Sequence, residues 1–262
     1  MTETGAALVS VVIPTFNREH LIVDALDSVF AQHYRPIELV VIDDGSEDGT
    51  EAAVTNWARE HQSDESFEFA YHRQDNSGGN VARNRGISES RGQYVGFLDS
   101  DDRWAPDKLT KQCRLFDDGD VAAVYCGVKH LDASSDEVTE APRRSNPHGN
   151  LLQKLLVQDV TAPTSTNLIR RTVFERTGSF DESLEARQDW DMWIRVAGQG
   201  LIEVVPEALV DFRSHDGPRT ASNPAREVRA YKAILEKYSD LIERCSWRVR
   251  RLSRAAYHRR LG

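Results

Sequence analysis

The chain has 262 residues, 39% of them hydrophobic, and a net charge of −9. That is enough apolar material for one large domain with a packed core, and the acidic balance argues against nucleic acid as a partner, which needs a positive face against phosphate. The cysteines Cys113, Cys126 and Cys245 are widely spaced and form no C-x-x-C pair, so they indicate neither a disulfide framework nor a zinc site.

The N-terminal residues carry Glu3 and no basic region, so no secretory signal is expected. The apolar run from Ala6 to Ile13 is too short to span a bilayer. A cytoplasmic protein is expected. Leu8 to Ile13 is rich in β-branched residues and reads as a strand that stops at Pro14. Glu19 to Gln32 follows, with Leu21, Ile22, Ala25, Leu26, Val29 and Phe30 at helical spacing. Ile37 to Ile42 is a second strand. Thr50 to His61 is a helix with Asp48 or Thr50 as cap. Phe67 to His72, Val81 to Ser90 and Tyr94 to Leu98 read as strand, helix and strand. Units this short imply a mostly parallel sheet covered by helices on both faces, an α/β fold. Ligands of such sheets bind beyond the carboxyl ends of the strands. Those ends are polar here: Pro14-Thr15-Phe16-Asn17-Arg18, then Asp43-Asp44-Gly45-Ser46, then Asp99-Ser100-Asp101-Asp102.

The last of these is the most pointed. Three carboxylates at the end of a buried strand repel one another, and a hard divalent cation with oxygen ligands resolves the conflict. The plainer alternative is a turn and helix cap ahead of Pro106.

The second half is less regular. Residues 133–150 are rich in Ser, Asp, Glu, Asn and Pro and read as a loop. Ser165 to Ile169, Leu201 to Val205 and Ala208 to Phe212 read as strands, and Asp189 to Val196 as a helix. From Pro224 a long helix is predicted. Tyr231, Leu235, Tyr238, Ile242, Cys245, Val249, Leu252 and Ala256 recur along it at alternating spacings of four and three. That seam suits a helix docked on its own domain or, less readily, a coiled coil that would make an oligomer. Residues 244–262 carry seven Arg and no acid, so residues 1–243 bear −16. The basic tail suits a solvated face, a partner's acidic surface, or peripheral contact with an anionic membrane.

Ser10-Val-Val-Ile-Pro-Thr-Phe-Asn-Arg18, Val41-Ile-Asp-Asp-Gly-Ser46 and Phe97-Leu-Asp-Ser-Asp-Asp102 together resemble the family 2 glycosyltransferases. Asn76-Ser-Gly-Gly-Asn-Val-Ala-Arg-Asn-Arg-Gly86 is similar to that family's glycine-containing loop and Ala-Arg-Asn helix. Gln188-Asp-Trp-Asp-Met-Trp-Ile-Arg195 is similar to its acceptor-side motif, with Gln188 where a Glu is usual. The resemblance covers about residues 8–215. It implies a GT-A fold over residues 1–223, with a nucleotide-sugar half (1–102) and an acceptor half (103–223), followed by the helical tail at 224–262. It also implies inverting, single-addition transfer from a nucleotide-sugar to a glycan or lipid-linked hydroxyl. The Gln-x-x-Arg-Trp motif of processive members is absent.

The roles that follow are those the resemblance implies. Asp101 ligates Mn²⁺ or Mg²⁺, Asp99 faces the ribose or the metal's water, and His215 is either a further metal or phosphate contact or a loop histidine with no ligand. Asp189 is the general base, for which a plain helix N-cap is the alternative. Asp191, two positions on, points about 200° away around a helix and cannot serve the same hydroxyl. Asp44 reads the nucleobase edge, favouring uridine donors, with Pro14, Thr15 and Asn17 beside it. Arg83 approaches the base or phosphates, or else is a salt-bridged helix residue. Trp190 offers an acceptor platform, whereas Trp193 and Trp104 suit core packing better. A non-catalytic nucleotide-sugar or glycan-binding protein, and a nucleotidyltransferase, remain alternatives.

Overall fold

A computed structural model describes residues 6–61, 66–132, 138–139, 146–160, 163–214 and 224–261. Its frame is one mixed sheet. Strands β1 (Val9–Thr15), β2 (Ile37–Asp43), β3 (Phe67–Arg73) and β4 (Tyr94–Phe97) are joined by helices α1 (Ile22–Phe30), α2 (Thr50–Glu60) and α3 (Gly79–Glu89). All four strands run parallel, in the order β3-β2-β1-β4. Every residue of β1 and β2 is buried, as expected for strands covered on both faces. Alternate residues of β1 feed different cores. Val9, Val11 and Ile13 pack with α1 and Trp57 of α2, while Val12 packs with Phe97 on the opposite face.

The remaining strands are β5 (Arg103–Trp104), β6 (Val121–Asp132), β7 (Val138–Thr139), β8 (Leu168–Arg170) and β9 (Leu201–Ser214). They extend the sheet beyond β4 in the order β8-β6-β9-β5, with β7 alongside β6. β8 is antiparallel to both β4 and β6, and β6 is parallel to β9. Helices α4 (Lys108–Cys113), α5 (Leu152–Leu155), α6 (Arg171–Thr177) and α7 (Gln188–Ala197) cover this half. The chain goes out from β1 to β2 and β3 and then returns to place β4 on β1's other side. The carboxyl ends of β1, β2 and β4 therefore meet at a switch point: β1 and β2 end level, Thr15 pairing with Asp43, while β4 stops at Phe97 opposite Val12 and its polar continuation runs on beyond it.

Several expectations change. Leu201–Ser214 is one strand, because Cys126 pairs with Val205 and Gly127 with Ala208. Pro206 and Glu207 bulge out between them, as proline has no N–H for the ladder. Ser165 to Thr166 belongs to a short 3₁₀ turn, and the strand begins only at Leu168. β7 lies inside the stretch read as loop. Val121–Asp132, to which the sequence reading assigns no element, is a central strand.

The C-terminal helix is three helices: α8 (Pro224–Lys237), α9 (Ser239–Glu243) and α10 (Trp247–Leu261). α10 folds back onto α8 and α9. Tyr231, Ile242 and Ala256 from the predicted seam join the core that holds Trp190 and Trp193. Apart from Leu252, which is exposed, the seam docks on its own domain, and a continuous coiled coil is not formed. No helix among the described residues is long and apolar enough to cross a membrane.

Candidate active site

The loop after β1 is fastened to the loop after β2. Asn17 takes a left-handed backbone (φ 52°), its N–H donates to Ser46 Oγ at 2.9 Å, and its Oδ1 accepts from Glu47 N at 2.8 Å. Asp43 is wholly buried and accepts from Ser46 N and the Tyr71 hydroxyl, both at 2.7 Å. Asp44 is also buried. It accepts from Gln74 Nε2 (2.8 Å), Ser77 N (2.9 Å) and Gly78 N (2.7 Å). The expected base-reading carboxylate is thus first an anchor for the glycine loop. A carboxylate has about four acceptor positions, so one remains, on Oδ2. Gly78 has φ 96°, a conformation glycine adopts without strain, and it lets the loop turn into α3. Pro14 is buried inside β1, whereas Thr15 ends the strand with its hydroxyl buried and unpartnered.

The acidic strand end divides its labour differently from expectation. Asp102 is the buried member: its Oδ2 accepts from Ser165 Oγ at 2.5 Å and its Oδ1 from Arg213 N at 3.1 Å. Burial, then the charges of Asp99 and Asp101, push its pKa up to about 8. Ser165 Oγ also accepts from Asp99 N at 3.1 Å. Asp102 therefore ties the end of β4 to the 3₁₀ turn and to β9. Asp99 and Asp101 stay partly exposed. Asp99 accepts from Arg83 NH2 at 2.7 Å, and Asp101 lies 3.8 Å from Arg18 Nε. His215 lies outside the described residues.

Among the described residues, no group of three or more His, Cys, Asp or Glu gathers to hold a metal alone. Asp99 and Asp101 are nonetheless a hard oxygen pair. They suit Mg²⁺ or Mn²⁺, which use one or two carboxylates and complete their shell with substrate phosphates and water.

A cavity of about 310 Å³ shares Arg83 with this cluster and is lined also by Asn80, Asp159, Arg187, Asp189 and Glu227 among others. Asp189 is the second residue of α7 and accepts from Trp190 N at 2.8 Å; Arg187 holds the cap position, so the N-cap alternative is not met. Its carboxyl lines the cavity. Burial raises its pKa to about 6 and Asp159 adds to the rise, against the Trp190 N–H and the guanidiniums of Arg83 and Arg187. Arg187 has φ 59° and ion-pairs with Glu227 of α8 (2.6 Å) and Asp159 (3.6 Å). Gln188 donates to Leu184 O at 2.8 Å.

Asp191 faces away, as helical geometry demands. It is fully buried and meets Arg195 (2.8 Å), Lys237 (2.8 Å) and the Tyr238 hydroxyl (2.8 Å). Trp190 is core rather than acceptor platform. It is fully buried, donates to Leu155 O and stacks on Tyr231 with centroids 5.0 Å apart. Trp193 and Trp104 are buried too. Sequence reasoning missed Asp159, Arg187, Glu227 and the anchoring role of Asp102. Asp102 lies inside a recognised motif and Arg187 adjoins one; Asp159 and Glu227 do neither.

The model of the family described as glycosyl transferase family 2 matches residues 10–178. The chain belongs to that family. This family 2 glycosyltransferase is 30% identical over 211 residues to the putative teichuronic acid biosynthesis glycosyltransferase TuaG of Bacillus subtilis, covering 79% of each chain. It shares its fold with TarS 1–349 of S. aureus, solved with UDP-GlcNAc (TM-score 0.68, 20% identity, 86% of this chain and 65% of that one). The mannosyltransferase PcManGT of Pyrobaculum calidifontis, solved with GDP-Man and Mn²⁺, has the same fold (TM-score 0.67, 23% identity, 93% of this chain and 66% of that one). The chain thus spans about two thirds of these solved neighbours. The GT-A expectation is met, and the non-enzymatic alternative falls.

Proposed function

We propose that this glycosyltransferase moves one sugar from a nucleotide-sugar to a glycan or lipid-linked hydroxyl, with inversion, and that Asp189 is the base. The observation that carries the proposal is the reach of Arg83. It holds Asp99 at 2.7 Å and also lines the Asp189 cavity, so the strand-end carboxylates and the candidate base share one residue.

The nucleotide is assigned to the ends of β1, β2 and β4, with Thr15, Asn17 and the remaining acceptor position of Asp44 beside it. UDP is favoured, since that acceptor position suits the imide N–H of uracil. The neighbours' ligands carry different nucleotides, so the preference rests on Asp44. Asp101, with Asp99, would hold Mn²⁺ or Mg²⁺, as the Mn²⁺ in PcManGT also suggests. When bound, the cation supplies positive charge for the departing diphosphate. Arg83 and Arg18 add fixed positive charge near those carboxylates.

In the transfer step the acceptor hydroxyl gives its proton to Asp189, and its oxygen bonds to the anomeric carbon from the side opposite the diphosphate. The bond to the diphosphate oxygen breaks and the nucleoside diphosphate leaves. Asp189 suits this task because its raised pKa makes it a better proton acceptor than a surface aspartate while leaving it ionised at neutral pH.

Thermal shift with UDP, GDP and dTDP, each with and without Mn²⁺, tests the donor half. Stabilisation by one nucleotide, larger with metal and lost in Asp101→Asn, is the expected result. No metal-dependent stabilisation by any of the three would refute it.

A further inference from the structure

The basic C-terminus has a structural feature that its composition alone does not specify. At about 100° per residue, Val249, Ser253 and Ala256 fall on one side of α10. All three are buried against the domain. The opposite sector, about 140° wide by the same geometry, carries Trp247, Arg251, Ala255, Arg248 and Leu252. All five are exposed. Trp247 is 66% exposed and Leu252 42%. Besides Phe16 at the donor end, these are the exposed large apolar side chains among the described residues.

The arginines of α10 fall into two groups. Arg250 and Arg254, at the edge of the outward sector, both ion-pair with Glu243. Arg248 and Arg251 have no carboxylate partner among the described residues. A solvated helix face has no use for an exposed indole and an exposed leucine on either side of two guanidiniums that no described carboxylate pairs. A protein-binding groove would gather its apolar residues into one patch, whereas here they interleave with cations.

We propose that the outward face of α10 is a contact surface for an anionic phospholipid bilayer. Arg248 and Arg251 meet the headgroup phosphates and Trp247 and Leu252 enter the interfacial layer. An indole suits that layer because it is apolar in body and polar at its N–H. Arginine stems lie along apolar surface while their heads reach phosphate. The charge distribution sets the orientation. Residues 1–243 carry −16, so an anionic surface repels the body and attracts the tail. α8, on which α10 folds, also supplies Glu227 to the Asp189 cavity, so the docked segment belongs to the acceptor side of the molecule. This surface does not depend on the catalytic assignments.

Co-sedimentation of the whole chain tests the proposal. Vesicles of phosphatidylcholine are compared with vesicles of phosphatidylcholine mixed with phosphatidylglycerol, at low and high salt. The expected result is binding to the anionic vesicles only, lost as salt rises. Each of Arg248→Gln and Arg251→Gln should lower the partition coefficient about fivefold, the equivalent of ~1 kcal/mol per basic residue at a membrane surface. Trp247→Ser with Leu252→Ser should weaken binding further. None of these side chains is buried, so unchanged thermal stability is the check on folding. Equal partition to both vesicle types, or anionic binding that survives all four substitutions, would overturn the proposal. So would self-association that the four substitutions abolish without any vesicle binding.

Discussion

Asp189 is a costly residue for the fold. In the unfolded chain its carboxyl has an ordinary pKa near 4; in the fold it is about 6. The proton is held more tightly in the folded state, so the stability it brings is complete below about pH 4 and lost as pH rises through about 6. At neutral pH the ionised carboxylate is a net cost. Asp189→Asn is therefore expected to raise the melting temperature at pH 7 by about 2–4 °C, on the order of 1 kcal/mol for a domain of this size, with little change at pH 4. Activity runs the other way. The base must be ionised, so kcat should fall about tenfold per pH unit below about pH 6. Asp159→Asn removes a neighbouring negative charge, and the acid limb of that profile should shift to lower pH. A limb that stays in place would remove Asp159 from the site's electrostatics. The motif around Asp189 was legible from sequence because its residues are contiguous. Asp159 and Glu227 were not, because each comes from a distant segment and meets Asp189 only through packing.

At the scale of elements, two helices position the site. α3 carries Arg83 and packs closely on β1, since a Cβ at Gly86 would overlap the Val12 side chain. Gly86→Ala should cost about 1–3 kcal/mol as overpacking. It should also raise the KM for donor by displacing Arg83, to be read by urea unfolding and steady-state kinetics together. α7 carries Asp189 and is held to α8 by Asp191. Asp191→Ala leaves Arg195 and Lys237 without their buried partner and should cost about 3 kcal/mol, the usual loss when one member of a buried pair is removed. The strands β1, β2 and β4 were legible because apolar residues dominate them, interrupted within the run only by Ser10 in β1 and Glu38 in β2. β6 was not, because Ala122, Ala123, Cys126 and Gly127 dilute its β-branched signal. β9 read as two strands because a bulge at Pro206 looks like an end. The three-way break of the C-terminal helix was hidden because the apolar spacing continues across it while the chain turns back to bury it.

Across the whole molecule, one sheet joins a parallel half, with the nucleotide-binding character of its strand ends, to a mixed half that supplies the cavity. Arg83 touches both the strand-end carboxylate Asp99 and the cavity, and Asp102 links β4 to the 3₁₀ turn through Ser165 and to β9 through the Arg213 backbone. On the proposed function, donor binding and proton removal are separate tasks on the two sides of this junction. The decisive variant is Asp189→Asn, assayed for donor-nucleotide affinity and for sugar transfer on the same preparation. Donor affinity within about twofold of wild type is expected, with transfer reduced about 10²–10⁴-fold, the range of a lost general base. Transfer that persists unchanged, or donor affinity that disappears along with transfer, would contradict it.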